Sequence, residues 1–298
     1  EVMGLAAHND FFFIFGKRQI LVYSGASTPA SLVLSDTVGS IGCIARDTIQ
    51  SIGTDVIFLS DSGVRSLMRT IQEKSAPLRD LSKNVRSDLT TSVTGETLAN
   101  LKSVYSEKNA FYLLSLPISA SVFCFDTKMQ LQDGAFRVTK WDSITPTALY
   151  SLRNGDLYIG KRGFIGKYGT FLDNTSTYRL SYFTNHADLG NENQISILKR
   201  IKTIIIGGSN QFVTIKWGFD FAANYLSGNA FIPTQQNYEY GLAEYGIAEY
   251  SGGLLIKTLD VNASGAGKVV QTGYETTING TQLSIQKIEI QSKNGKIS

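Results

Sequence analysis

Histidine, cysteine and long apolar runs are scarce in this chain, and each scarcity removes a class of function. Two histidines, His8 and His186, stand among 298 residues, so no multi-histidine metal centre can form. Neither lies near a carboxylate or nucleophile in an arrangement that reads as a catalytic pair. Cys43 and Cys124 are the only cysteines, too few for a disulfide framework, and buried free thiols are expected. The longest apolar run, Phe11-Phe12-Phe13-Ile14-Phe15, stops at Gly16-Lys17-Arg18 and has the length of a strand. It is far too short to span a bilayer, and no membrane insertion is expected. No basic-then-apolar signal region opens the sequence. The net charge of +3 is too small to argue for nucleic-acid affinity. A hydrophobic content of 42% and a charged content of 18% describe a folded chain with room for one large core or two ordinary ones.

What the chain does have is a repeated hairpin. Gln50 to Leu67 reads QSIGTDVIFLSDSGVRSL, an apolar run (Val56 to Leu59), a turn (Ser60-Asp61-Ser62-Gly63), and a second run from Val64 to Met68. Two strand patterns joined by a Gly-containing turn predict a β-hairpin. The unit recurs at Asn9–Tyr23, at Lys108–Phe125 and at Asn154–Ile165. Asp10, Asp55, Asn109 and Asp156 occupy matching positions, spaced by 45, 54 and 47 residues. That is the period of a propeller blade. The repeat is already running at Asn9, so the natural protein is expected to continue N-terminal to Glu1.

Around these hairpins the chain reads as strand after strand from residue 5 to 70, including Ser31 to Leu34 and Cys43 to Ile49. Between about 70 and 108 the grammar becomes helical. Leu78, Leu81 and Val85 share one helical face after Pro77, with Ser75 as a candidate cap. Leu98, Leu101 and Tyr105 suggest a second helix over 95–105. This insert carries Lys74, Arg79, Lys83 and Arg86, interleaved with Glu73, Asp80 and Asp88, which fits a solvated face or a contact surface. In the last repeat, strands at Trp141, Ala148–Tyr150, Leu157–Ile159 and Phe164–Tyr168 are expected to complete one blade.

From about residue 175 the repeat gives way to longer strands. Ile195 to Ile206 and Phe212 to Trp217 flank Gly207-Gly208-Ser209-Asn210, while Lys268 to Thr276 and Thr281 to Ile290 flank an Asn279-Gly280 turn, predicting a hairpin. In the final strand the apolar phase shifts between Ile285 and Ile288, the mark of a bulge. Tyr238 to Tyr250, YEYGLAEYGIAEY, places Tyr240, Tyr245 and Tyr250 five apart, a period of neither helix nor strand. The expected fold is therefore all-β. It comprises a partial, N-terminally incomplete β-propeller over 1–174 with a helical insert, then a C-terminal β-sandwich-like domain over 175–298 with a Tyr/Gly loop at 238–253.

Catalytic material is thin, and no catalytic residue, metal site or cofactor is expected. The segment from Asn262 to Val269 resembles a phosphate-binding loop but has Asn262 at the first glycine position and Val269 where a hydroxyl is required after Lys268. Carboxylates in turns (Asp55, Asp61, Asp133, Asp142, Asp156) commonly bond their own backbone. The densest basic run, Lys199, Arg200 and Lys202, is explained equally by solvent-facing strand positions and by phosphate contact.

Several stretches resemble a known family. The hairpin TDVIFLSDSGVRSL, the ending DLYIGKRGFIGKY, the run LKRIKTIIIGG…VTIKWGFDF, the YG-x-AEY repeats and the closing NGTQLSIQKIEIQSKNGKI are similar to the tail nozzle proteins (tail tubular protein B) of short-tailed bacteriophages. The resemblance implies a non-enzymatic virion protein of the tail. It would form a homohexameric ring at the distal DNA-exit channel, touch double-stranded DNA transiently, and dock a tail adaptor protein and fibre or plug proteins. Interface candidates are then Tyr240, Tyr245, Tyr250, Leu78, Leu81 and Val85, because rigid aromatic and apolar side chains dominate contact energy. Lys199, Arg200 and Lys202 are the candidates for DNA-channel contact. The alternative is a carbohydrate-binding or carbohydrate-active β-propeller acting as a receptor binder. A Kelch- or WD-like scaffold ranks below both, since only an isolated Trp141-Asp142 echoes those repeats.

Overall fold

The computed structural model describes residues 1–73, 80–142, 144–189, 194–234 and 256–295. The chain divides into two compact units, Glu1–Gly169 and Thr170–Ser298. It is all-β in character, built of several antiparallel sheets of which none is closed.

The first unit contains four sheets in chain order, each a simple up-and-down meander. The first holds β1 (Val2–His8), β2 (Phe11–Gly16), β3 (Gln19–Ser24) and β4 (Val33–Gly39). The second holds β5 (Gln50–Ser51), β6 (Val56–Ser60) and β7 (Gly63–Ser66), and is followed by helix α1 (Leu67–Glu73). Helix α2 (Arg86–Thr94) precedes the third sheet, which holds β8 (Lys102–Ser106), β9 (Phe111–Leu116), β10 (Ser121–Gln130) and β11 (Phe136–Trp141). The fourth holds β12 (Ala148–Ser151), β13 (Leu157–Lys161) and β14 (Phe164–Lys167). The repeated hairpins are β2–β3, β6–β7, β9–β10 and β13–β14. Asp10, Asp55, Asn109 and Asp156 all fall in the link between the first and second strands of their sheets.

The sheets pack in sequence through alternating faces. Phe13, Phe15, Ile20, Val22 and Val38 of the first share a core with Val56 and Phe58 of the second. The opposite face of β6, Ile57 and Leu59, joins Tyr112, Leu114, Phe123 and Phe125 of the third. The third then turns Phe111, Leu113, Val122 and Cys124 toward Leu157, Leu149 and Ile159 of the fourth. Sheets buried on both sides need unbroken apolar strands, which is why VIFL and FYLL do not alternate. Every residue of β6 and β9 is buried.

Several sequence expectations are corrected here. β1 starts at Val2, three residues before the point from which strands were expected. Residues 43–49 form a loop and a 3₁₀ turn (Arg46–Thr48) instead of a strand. There the Thr48 hydroxyl donates to the Ala45 carbonyl (2.6 Å) and accepts the Leu59 N–H (3.3 Å), a local bond that competes with pairing. The strand expected to run to Met68 stops at Ser66, whose hydroxyl accepts the Arg69 N–H (3.2 Å) and starts α1. No helix covers 95–105. A single 3₁₀ turn (Leu98–Asn100) yields to β8, where Ser103 and Val104 are buried against β9. Trp141 ends β11 of the third sheet, so the fourth has three strands, not four.

In the second unit the strands are β15 (Tyr178–Phe183), β16 (Ala187–Asp188), β17 (Ser196–Gly207), β18 (Gln211–Phe219), β19 (Leu226–Ile232), β20 (Ile256–Asn262), β21 (Ala266–Gly267), β22 (Val269–Ile278) and β23 (Leu283–Asn294). One sheet runs β15-β22-β18-β19 with β16 on β22; the other runs β20-β17-β23 with β21 on β17. Their facing residues form one core that includes Ile201, Ile205, Ile215, Trp217, Leu259 and Tyr274. A buried hydrogen bond links Thr203 of one sheet with Tyr274 of the other (2.9 Å). The expected hairpin at Asn279-Gly280 is not one, because β22 pairs with β18 and β15 while β23 pairs with β17. The turn is a corner carrying the chain from one sheet to the other, with Gly280 at φ +97°. A second corner, Gly207–Asn210, lies beside it, tied by Gly208 N–H to the Gln282 carbonyl (2.7 Å) and Asn279 Nδ2 to the Ser209 carbonyl (2.7 Å). In β23 the pairing register slips between Ile285 and Lys287, where the apolar phase changes.

Candidate interaction surfaces

The carboxylates of the repeat are committed to architecture. Asp55 accepts the N–H of Val56 (2.7 Å), the N–H of Met68 (3.0 Å) and the hydroxyl of Ser66, fastening β6 to the start of α1. Asp10 accepts the Ser27 N–H (3.1 Å), and Asp156 holds Lys167 (2.7 Å). At the turn Ser60-Asp61-Ser62-Gly63, Gly63 has φ +132°, and a Cβ there would overlap the Ser82 hydroxyl. That hydroxyl accepts the Val64 N–H (3.0 Å). Among the described residues no three His, Cys, Asp or Glu side chains cluster as metal ligands would. Cys43 and Cys124 are buried free thiols, and burial pushes the Cys124 pKa up to about 12.

A concavity of about 350 Å³ lies between α2 and the β6–β7 turn, floored by Ile44, Leu59, Leu89, Val93 and Leu98 with Asp61 on its wall. Glu96 at its edge accepts the N–H groups of Ile118 (3.1 Å) and Ser119 (2.6 Å), bracing the β9–β10 turn. Of the insert's interface candidates, Leu81 is 1% exposed and Val85 packs against the same core. Both side chains therefore serve the chain's own interior. Two of the insert's described cations are also paired internally: Arg86 with the buried Asp80, and Lys83 with Asp133 (3.6 Å). Leu78, Tyr240, Tyr245 and Tyr250 lie outside the described residues.

The basic run sits on β17. Arg200 pairs with Asp260 on β20 (3.1 Å), and Lys202 lies opposite Glu289 of β23, lowering that carboxyl's pKa together with Lys287, the larger influence. Lys199 is exposed next to the register slip at Leu198/Arg200. The Gly-rich loop before β22 is filled by the chain itself. Asp220 accepts the N–H groups of Lys268 (2.8 Å) and Val269 (3.1 Å), so a protein carboxylate occupies the position a phosphate would take.

Surfaces on three sheets escaped sequence reasoning. On the outer face of the β15-β22-β18-β19 sheet, Glu275 bridges Lys216 (2.8 Å) and Arg179 (2.6 Å), which together hold its carboxyl below the usual range. Beside it the rings of Phe183 and Tyr225 lie over Gly273 and Gly218, where any Cβ would collide with them. The glycines at these strand positions were the available signal. A second is the outer face of the first sheet. Two cross-strand rows, Leu5–Ile14–Leu21 and Ala7–Phe12–Tyr23–Leu34, cover it. Leu5 is 58% and Leu34 50% exposed. The outer face of the fourth sheet is similar: Tyr150 (65%) stands beside Tyr158, and Ile165 (82%) beside Gly160. The signal was the apolar residue at both parities in FFFIF and QILVY.

Together these features define an all-β protein of two compact units. No family model matches the chain, and no curated protein matches it. Among solved structures, the crystal structure of a Bacillus thuringiensis Cry1Da tryptic core variant is similar at 11% identity and a TM-score of 0.23. The match covers 98% of this chain and 50% of that one, so the chain spans half its length. A likeness at that score carries no argument about fold or function.

Proposed function

We propose that this chain is a structural subunit of the tail nozzle of a short-tailed bacteriophage. In this reading the four meander sheets are blades of a partial β-propeller, and the two facing sheets of the second unit form a β-sandwich. Copies assemble into a six-fold ring at the distal end of the tail, surround the DNA-exit channel, and dock the adaptor ring with fibres or a plug. The observation that carries the reading is the succession of four consecutive meanders that share cores in chain order and recur at near-regular sequence intervals. The sequence resemblance supplies the particular assembly.

The basic residues of β17 suit a conduit better than a DNA anchor. Arg200 already has a carboxylate partner and Lys202 lies among carboxylates, so phosphate contact through them is weak and easily broken. Passage needs contacts of that kind. The deciding experiment is reconstruction of purified particles with antibody-labelled tails. Ring density of this chain on the tail axis, six-fold in projection, is the expected outcome. Absence of the chain from the particle, or a position off the axis, overturns the proposal.

A further inference from the structure

Three Asn-Gly dipeptides occur in the chain: Asn154-Gly155, Asn279-Gly280 and Asn294-Gly295. Asparagine is among the labile residues, and most so before glycine, where no Cβ shields its side-chain amide from the next backbone nitrogen. Attack by that nitrogen requires it to give up its proton and any hydrogen bond it donates. On this point the three sites differ.

The Gly155 N–H donates to the Leu152 carbonyl (2.9 Å). Asp156 holds the Asn154 side chain at both ends, its N–H on Oδ1 (3.0 Å) and its carboxylate on Nδ2 (3.2 Å). That carboxylate also opposes the loss of a proton beside it. The Gly295 N–H donates to the Ile195 carbonyl (2.9 Å), and Asn294 is paired with Ser196 at the end of β23. Gly280 is the exception. Among the described residues its N–H donates no hydrogen bond, and both Asn279 and Gly280 are exposed to water. The Thr281 hydroxyl donates to Asn279 Oδ1 (3.1 Å), the oxygen that gains negative charge when the amide carbon is attacked. A donor already aimed at a developing oxyanion lowers the barrier.

We propose that Asn279 is a self-modification site, which the corner between β22 and β23 converts to aspartate or isoaspartate ahead of the other two Asn-Gly pairs. The Gly280 nitrogen bonds to Asn279 Cγ and loses its proton to water, while the Cγ–Nδ2 bond breaks and ammonia leaves. Water then opens the cyclic imide, at one carbonyl to give aspartate and at the other to give isoaspartate. Either product removes the Nδ2 donor from the Ser209 carbonyl (2.7 Å), so one tie between the two corners is lost. The conversion concerns the second unit alone and does not depend on any tail assembly.

The whole chain, aged in mildly alkaline buffer and digested, reports the conversion at each asparagine by peptide mass spectrometry with separation of isoaspartate. An attacking nitrogen free of a hydrogen bond is worth about tenfold in rate, so Asn279 is expected to convert about tenfold faster than Asn154 or Asn294. In denaturant the three rates should converge. Equal rates in the folded chain, a faster Asn154 or Asn294, or the same ranking in denaturant each overturns the proposal. This comparison needs no variant and so does not depend on one folding. Thr281→Val, with an unchanged circular dichroism spectrum, is expected to slow Asn279 severalfold in the folded chain and to leave its rate in denaturant unchanged. An unaltered folded rate refutes the role of the hydroxyl. Asn279→Asp installs one product directly and is expected to lower the melting temperature by about 2–8 °C. An unchanged melting temperature refutes the loss of the tie.

Discussion

Gly63 is where a single methyl group has the clearest cost. Its φ of +132° is open to glycine alone, and a Cβ would meet the Ser82 hydroxyl that accepts the Val64 N–H. Gly63→Ala is expected to lower stability by about 2 kcal/mol, combining backbone strain with a displaced buried hydrogen bond, read as a shift of the urea midpoint. The Cys124 thiol gives a chemical test of burial. With its pKa near 12, it should stay inert to thiol reagents at pH 8 in the folded chain and react at once in denaturant. Glu275 sets a pH dependence. Lys216, then Arg179, lower its folded pKa beneath the unfolded value, so its stabilising contribution is complete above the ordinary glutamate range. That contribution disappears as pH falls through the folded value. Thermal melts from pH 6 down to about pH 3, across the carboxylate range, should show an acid-side loss that Glu275→Gln makes shallower.

At the scale of elements, strands buried on two faces should be the least forgiving. Leu59, on β6, is 1% exposed and faces the third sheet's core, so Leu59→Ala is expected to cost about 2–5 kcal/mol by chemical denaturation. Phe12 on the outer face of β2 should cost much less, since its ring is only half-buried. Strands of this kind were also the most legible in the sequence. The four hairpins stood out because VIFL, FYLL and VFCF are apolar throughout and a Gly sits in three of the four turns. Other elements were hidden by specific competitors. Thr48 and Ser66 bond locally and break strands whose composition is β-favouring. Leu98 and Leu101 mimic a helical face over one turn, after which packing on β9 takes over. At Asn279-Gly280 the turn chemistry was read correctly but its use was not. A dipeptide that suits a hairpin also suits a corner, and only the long-range pairing of β22 and β23 tells them apart. Of the candidate contact residues, sequence could mark Leu81 as apolar but not foresee that a neighbouring sheet would cover it. The apolar outer faces of the first and fourth sheets were invisible for the converse reason: whether the second face of FFFIF is covered depends on what stacks there.

For the whole molecule, the two units draw their cores from separate sets of residues. A fragment spanning residues 170–298 should therefore keep its strand signal and melt cooperatively. A fragment without cooperative melting would show that its core depends on the first unit.

The two corners of the second unit bear on how it is made. In the first unit every sheet pairs strands that are neighbours in the chain, so each meander can close soon after it leaves the ribosome. In the second, β15 pairs with β22, joining Tyr178 to Ile278, and β17 pairs with β23, joining Ser196 to Asn294. Neither sheet is complete until nearly the whole chain has been synthesised, and pairings over such separations form slowly. During that interval the apolar faces of β17 and β18 wait without their partners, the state in which nascent chains are most prone to aggregate. Stalled chains ending before β22 should resist protease across residues 1–169 while the remainder is digested, and extension past residue 294 should protect both.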